Sequence, residues 1–499
     1  MPASSHATSL SIVWHRAIYD AARPRRWGHS ADAVYGQARR NCSSVSEVAR
    51  TSSTTEETPV PSQLEDEALQ FVRDLIRIET VNTGVAATIG DGETRAAIWV
   101  QERLAEVGIA SELVESRPGR GSLIARIPGR DRDAGALLVH AHLDVVPVEE
   151  KDWTFPPFGA DIEAGYLYGR GAVDMKNYAG TIVAVARHFA REQIVPRRDL
   201  VLAFLADEES GGVWGAGWLV ENRPELFAGV TEALSEVGGF SVPLYADPAD
   251  ERRAYLVATS EKGVAWSTLR ARGHAAHGSR PTDDNSVVRL ARAVAAVGEH
   301  RFPVVRTPAL QRFLDVFGAA RGLAFTDESL ADDLESLGFV SSLVGATTRN
   351  TATPTVLDAG DKTNIIPAEA SARLDIRILP RQDDALRDGL RELVGDGIDI
   401  REGRWWSATE APVDAPIIDV LQEAIAIDDP DGVVVPYLLP ASTDNKHFAK
   451  LGIHGYGFVP LRVPRDFDVF AQFHAADERI PVDALHFSAR VTERILRTA

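Results

Sequence analysis

Apolar and polar positions alternate with two different periods along this chain, and the periods switch in a regular order. "LEDEALQFVRDLIRI", residues 64–78, places its apolar residues at helical spacing, as does "RAAIWVQERLAEVG" up to Gly108. "SLIARIPG" and "GALLVHAHLDVV" read as strands, "NYAGTIVAVARHFARE" as a helix, and "RDLVLAFLADEES" as a continuous apolar strand ending in acids. Buried strands alternating with helices predict an α/β sheet covered on both faces. From about Thr259 the order changes. "GVAWSTLRARG" is a strand, "DNSVVRLARAVAAVGEH" a helix, "TPTVLDA" and "EASARLDIRI" strands, "RQDDALRDGLRELVG" a helix and "GIDIREG" a strand. That βαββαβ order predicts a ferredoxin-like α+β unit inserted into the α/β domain. An irregular stretch with Gly and Asp punctuation, roughly 300–350, interrupts it. The predicted organisation is an N-terminal extension over 1–61, a first catalytic part over 62–258, an inserted lid or dimerisation domain over 259–404, and a second catalytic part over 405–499.

The strand "LLVHAHLDVVPV" carries His140, His142 and Asp144 among apolar residues. Burying such groups without partners costs several kcal/mol, roughly what a whole domain has to spare. Acids and histidines recur where other strands end: Asp174 in "YGRGAVDMKN", Asp207, Glu208 and Glu209 in "FLADEES", Glu236 in "LSEVGGF" and His474 in "QFHAADERI". Strand ends of an open α/β sheet are where such folds place ligands. Each residue alone has an ordinary reading as a helix cap, a solvated acid or a core histidine. Together they supply the imidazole nitrogens and carboxylate oxygens that zinc takes, with enough carboxylates to bridge two ions.

Composition narrows the partners. The chain has 499 residues and a formal net charge of -19, which argues against nucleic acid or an anionic membrane surface. Its one cysteine, Cys42, allows no intrachain disulfide and suits a reducing, cytoplasmic setting. No apolar run approaches the ~18 residues of a membrane span. The first sixty residues lack the apolar core of a secretory signal and read as a disordered extension.

The ordered set "HAHLDVVPV", "YGRGAVDMKN", "ADEESGG", "SEVGG", "GHAAHGSRP", "TNIIPAEASARLDIR", "STDNKHF" and "HAADERIP" resembles the M20 family of metallopeptidases and aminoacylases, closest to its aminoacylase and carboxypeptidase-like branch. The resemblance runs from about 62 to 499. It implies a zinc-exopeptidase-like catalytic domain with a lid. It also implies two divalent ions per chain, zinc with cobalt or manganese as alternatives. His142 and Glu236 would hold one ion, Glu209 and His474 the other, with Asp174 bridging. Asp144 would orient His142. Glu208 would act as general base and then acid on a hydroxide bridging the metals, with Asp207 its nearest alternative. No motif claims His140, which reads as a core or outer-shell histidine.

The resemblance further implies a homodimer in which His277, preferred over His274, reaches the partner's site with Asn364 to stabilise an oxyanion. Candidate anchors for a substrate carboxylate are Arg377, Arg404 and Lys446; Lys446 stands where many relatives carry Arg. The implied activity is hydrolysis of an amide bond in a small carboxylate-bearing substrate, a dipeptide or an N-acyl amino acid. Two alternatives stand beside it: a catalytically silent binding protein, or a hydrolase of carbamoyl or ureido amides.

Overall fold

The computed structural model describes residues 61–85 and 88–499; the expected N-terminal extension lies outside them apart from Pro61. The first described helix, Gln63–Arg77, starts where the sequence provides a reciprocal cap. The Ser62 hydroxyl accepts from the Glu65 N–H, and the Glu65 carboxylate accepts from the Ser62 N–H at 2.6 Å. Its apolar face, Leu64, Ala68, Phe71, Val72 and Leu75, packs against the helices Lys176–Glu192 and Val482–Thr498.

The main sheet is mixed and has ten strands among the described residues. At its centre, Leu200–Leu205, Ala136–His142 and Val230–Ser235 lie side by side and parallel. Parallel pairing with helices on the faces requires strands apolar on both sides, and every residue of Ala136–His142 and Leu200–Leu205 is buried. Because the three strands run the same way, their C-terminal ends meet at one edge. His142, the turn after Leu205 and the turn after Ser235 are thereby brought together.

A second sheet has the order Thr351–Asp358, Glu369–Ile378, Gly263–Arg272, Ile398–Trp406, all antiparallel. The helices Ser286–Glu299 and Asp383–Val394 cover one face with Leu290, Ala293, Val297, Leu386 and Leu390. This is the βαββαβ unit with ferredoxin-like strand order. The strand Arg253–Glu261 of the main sheet continues past the expected boundary at 259, and Ile398–Trp406 runs past 404.

The stretch 300–350 departs from expectation. It holds the helices Pro308–Arg321, Leu330–Glu335 and Val340–Val344. Thr307 caps the first, with Pro308 at its start and left-handed Gly322 at its end. Leu310, Phe313, Leu314 and Phe317 form a helical stripe that joins the core of the main sheet, not that of the second sheet. Burying each such side chain contributes ~1.5–3 kcal/mol, which outweighs the local Gly and Asp signals. Lys262, the residue between Arg253–Glu261 and Gly263–Arg272, is buried and donates to the carbonyls of Ala346 and Arg349. Among the described residues, no helix is long and apolar enough to cross a membrane.

Candidate metal centre and catalytic site

His142 is the last residue of its strand and is buried. Its Nδ1 lies 2.9 Å from the backbone oxygen of Asp144. A carbonyl can only accept, so Nδ1 donates and Nε2 keeps its lone pair. That Nε2 points at Asp174 Oδ1, 2.9 Å away, and at Glu236 Oε2, 3.4 Å away. The other Asp174 oxygen lies 3.2 Å from His474 Nε2, which is also 3.2 Å from Glu209 Oε2. Two clusters therefore form, His142–Asp174–Glu236 and Asp174–Glu209–His474, each with ligand atoms within 4.8 Å of one another. Asp174 belongs to both.

The Asp144 carboxylate sits 3.5 Å from His142 Nδ1. Its shorter bonds go to the N–H groups of Glu208 and Glu209, at 3.1 and 3.0 Å, and to Asn82 at 2.8 Å. Asp144 thus holds the turn that carries both glutamates, while its carbonyl orients the imidazole. Asp207, Val237 and His474 adopt left-handed backbone conformations in three of the loops that feed the clusters. Non-glycine residues hold such conformations only where the surroundings over-determine them, and they gather at functional sites.

The electrostatics suit cations. Burial pushes the His142 imidazole toward neutrality, but Glu236, Asp144 and Asp174 outweigh it and hold its pKa well above the ordinary value. Hydrogen bonds to Asp174 and Glu209 push His474 up to about 10. Burial and the neighbouring Asp174 charge push Glu209 up to about 7. Among the described residues, Glu209 Oε1 is buried with no hydrogen-bond partner, which suits a ligand oxygen. Imidazole and carboxylate together fit zinc and its first-row neighbours. The donor set and this orphaned oxygen fit two divalent ions.

Glu208 joins neither cluster. Burial, then the nearby Glu236, drive its pKa well above the carboxylate range, and Lys446 Nζ lies 3.7 Å from its Oε1. Asp207, the alternative, is engaged by Arg120 at 3.0 Å and by the Trp214 N–H at 2.8 Å. His140 bonds Asn445 Oδ1 at 3.0 Å and packs on Phe448, away from both clusters.

Among the described residues, none of the remaining candidates bonds a residue of either cluster. His277 is exposed on a two-residue ladder with Ile365–Ile366, its Nδ1 2.8 Å from Ser279 Oγ. Asn364 is beside it, accepting from the Gly278 N–H at 2.8 Å. His274 is paired with Asp284. Among the described residues, no hydrogen bond or ion pair links His277 to the clusters of its own chain. Arg377 is bound by Asp375 at 2.8 Å. Lys446 is buried and also donates to the Thr443 carbonyl. Arg404 stacks near Trp266 and Trp406 and has no carboxylate within ion-pair distance among the described residues.

Glu478 was not singled out by the sequence. Fully buried, it accepts from the N–H groups of Gly171, Val173 and Asp174 and pairs with Arg170 at 2.8 Å. It lies in "HAADERI", but nothing local reveals that its partners lie some three hundred residues upstream. Glu478→Ala should orphan these donors and free the Asp174 loop. We expect a loss of roughly 3 kcal/mol in stability, with weakened metal retention, measured by denaturant unfolding and elemental analysis. An unchanged midpoint and full metal content would contradict that role.

The comparisons agree with this geometry. Residues 138–498 match the profile of Peptidase family M20/M25/M40. Aminoacylase-1 of Pongo abelii is 27% identical over 392 residues, covering 77% of this chain and 85% of that protein. N-fatty-acyl-amino acid synthase/hydrolase PM20D1 of Bos taurus is 26% identical over 459 residues, covering 85% and 87%. Among solved structures, the M20 family metallo-carboxypeptidase Sso-CP2 of Sulfolobus solfataricus superposes with TM-score 0.63 at 19% identity, covering 87% of this chain and 99% of that one. A dinuclear metal-binding M20 peptidase of Bacillus subtilis superposes with TM-score 0.56 at 13% identity, covering 87% and 99%. Paired histidine–carboxylate clusters at the parallel strand ends and a profile match over most of the chain lead to one assignment: the chain belongs to peptidase family M20/M25/M40 and is a hydrolase of amide or peptide bonds.

Proposed function

We propose that this chain hydrolyses the amide bond of a dipeptide or an N-acyl amino acid with a free carboxylate. His142, Asp174 and Glu236 would hold one divalent ion, and Asp174, Glu209 and His474 a second, zinc in the first instance with cobalt or manganese as alternatives. One observation carries the reading: Asp174 presents one oxygen to each of two imidazoles, 2.9 and 3.2 Å away. Ions bound there would supply Lewis acidity toward the scissile carbonyl and a water acidic enough to ionise near neutral pH.

The chain's own residues do the rest. Glu208, partly buried beside the clusters but in neither, takes the proton of the attacking water and returns it to the leaving amine. The turn held by the Asp144 carboxylate fixes its approach. Arg404, Lys446 and Arg377 are the cations available to a substrate carboxylate. In a homodimer His277 and Asn364, both exposed, would donate to the developing oxyanion in the partner subunit's site. The names of the relatives at 26–27% identity support N-acyl amino acids as a substrate class.

The test is a hydrolysis screen of the zinc-loaded protein on dipeptides, N-acyl amino acids and N-carbamoyl amino acids, with elemental analysis of the desalted protein. We expect about two ions per chain and chelator-sensitive turnover of the first two classes. Less than one ion that no metal can raise would sink the two-ion reading. Full loading with no turnover would favour the silent binding protein, a reading that the intact ligand set and Glu208 now disfavour.

A further inference from the structure

Trp406 ends the strand Ile398–Trp406 of the four-stranded sheet, yet among the described residues it joins none of the apolar cores. Its neighbour Trp405 stays with that sheet's own unit, donating to Asp383 at 2.7 Å beneath the Arg387 guanidinium. Adjacent strand residues face opposite ways. Trp406 faces the turn that carries Glu208.

Three contacts define what it meets there. Gly211 closes the turn Glu208–Ser210 at φ +97, its N–H donating to the Glu208 carbonyl at 2.6 Å. A Cβ at Gly211 would lie 2.6 Å from the Trp406 ring, so the glycine is there for the indole as well as for the turn. The Lys446 ammonium lies 5.4 Å from the centre of the Trp406 ring, within cation–π range, and 3.7 Å from Glu208 Oε1. The His447 imidazole meets the indole edge-on at 6.1 Å, and its Nε2 lies 2.8 Å from the Gly211 carbonyl oxygen. One side chain from the second sheet thus touches both the end of the Glu208 turn and the cation beside the Glu208 carboxylate.

We infer that Trp406 is a positioning residue: its indole holds the Lys446 ammonium and the Gly211 corner where they fix the Glu208 carboxylate for proton transfer. The inference rests on the proposed role of Glu208. It assigns Lys446 to Glu208 more than to the substrate, since that side chain is only 3% exposed and its ammonium already donates to the Thr443 carbonyl. It also makes the four-stranded unit part of the proton-transfer machinery of its own chain, through a side chain that touches no substrate atom.

The experiment compares full-length, zinc-loaded Trp406→Phe, Trp406→Leu and Glu208→Gln with the parent on the best substrate of the screen. The readouts are kcat and KM separately, metal content, melting temperature, and the reductive methylation of Lys446 by formaldehyde and cyanoborohydride, followed by mass spectrometry. Trp406→Leu keeps apolar bulk but has no π face. We expect its kcat to fall about thirtyfold, with KM within about threefold and metal content unchanged. Lys446 should become methylated, while buried Lys176 and Lys262 stay protected as internal controls. Trp406→Phe should recover most of kcat. Should Trp406→Leu fail to fold, Trp406→Met asks the same question. Parental kcat with Lys446 still protected, alongside an inactive Glu208→Gln, overturns the inference and leaves the role of Glu208 intact. A raised KM with unchanged kcat makes Trp406 a substrate contact and also overturns it. An active Glu208→Gln removes the role of Glu208 and this inference with it.

Discussion

Glu208→Gln should bind its metal ions normally and lose about 10²–10⁴-fold in turnover. Glutamine is nearly isosteric, so the turn that Asp144 holds through the N–H groups of residues 208 and 209 remains in place. What disappears is the group proposed to accept the proton. Glu208 lies outside both ligand clusters, so the loss should fall on kcat and leave elemental stoichiometry unchanged. The two measurements together are decisive. Turnover near that of the parent would show that another group is the base. Lost metal would show that Glu208 is a ligand.

Mixing two inactive variants should restore activity. We propose that the chain forms a homodimer through its four-stranded unit and that His277 serves the neighbour's site. Thr351–Asp358 is an outer strand of that sheet with one edge unpaired among the described residues, and Val356 and Leu357 are exposed on it. Such an edge can pair with its copy about a two-fold axis. His277→Ala alone should cost about 10²–10³-fold, the usual loss for one oxyanion donor. After subunit exchange with Glu208→Gln, about half the dimers are mixed, and each has one site with both Glu208 and His277 intact. About a quarter of the parental activity should therefore return. Dimers with verified exchange but no recovered activity would refute the trans role of His277. A monomer at working concentration would leave His277 to act within its own chain.

Local pattern was enough for most of the secondary structure and for the residue types of the site. The apolar runs 136–142 and 200–205 are strands because both of their faces are buried, a property that the sequence displays directly. The ligand-type residues were visible because polar groups at the ends of such strands are expensive without a purpose. The βαββαβ order was legible because each of its elements carries its own period.

Other features depended on contacts between distant parts of the chain, which no local period encodes. The helix Pro308–Arg321 had its Thr307, Pro308 and Gly322 signals in plain sight, but its attachment to the main core follows from where Leu310 and Phe313 find an apolar surface. That Asp174 faces two imidazoles is decided by loops that meet across about three hundred residues. Glu478 stabilises one of those loops through backbone N–H groups, which carry no sequence signature. Asp144 was read as the orienter of His142; its carboxylate faces Nδ1 at 3.5 Å and also accepts from the N–H groups of Glu208 and Glu209, a second contact that exists because the parallel neighbour strand ends beside it. The sequence determined which elements form and which side chains could do chemistry. Only the tertiary structure decided which of these face one another, because that is fixed by packing between strands and loops far apart along the chain.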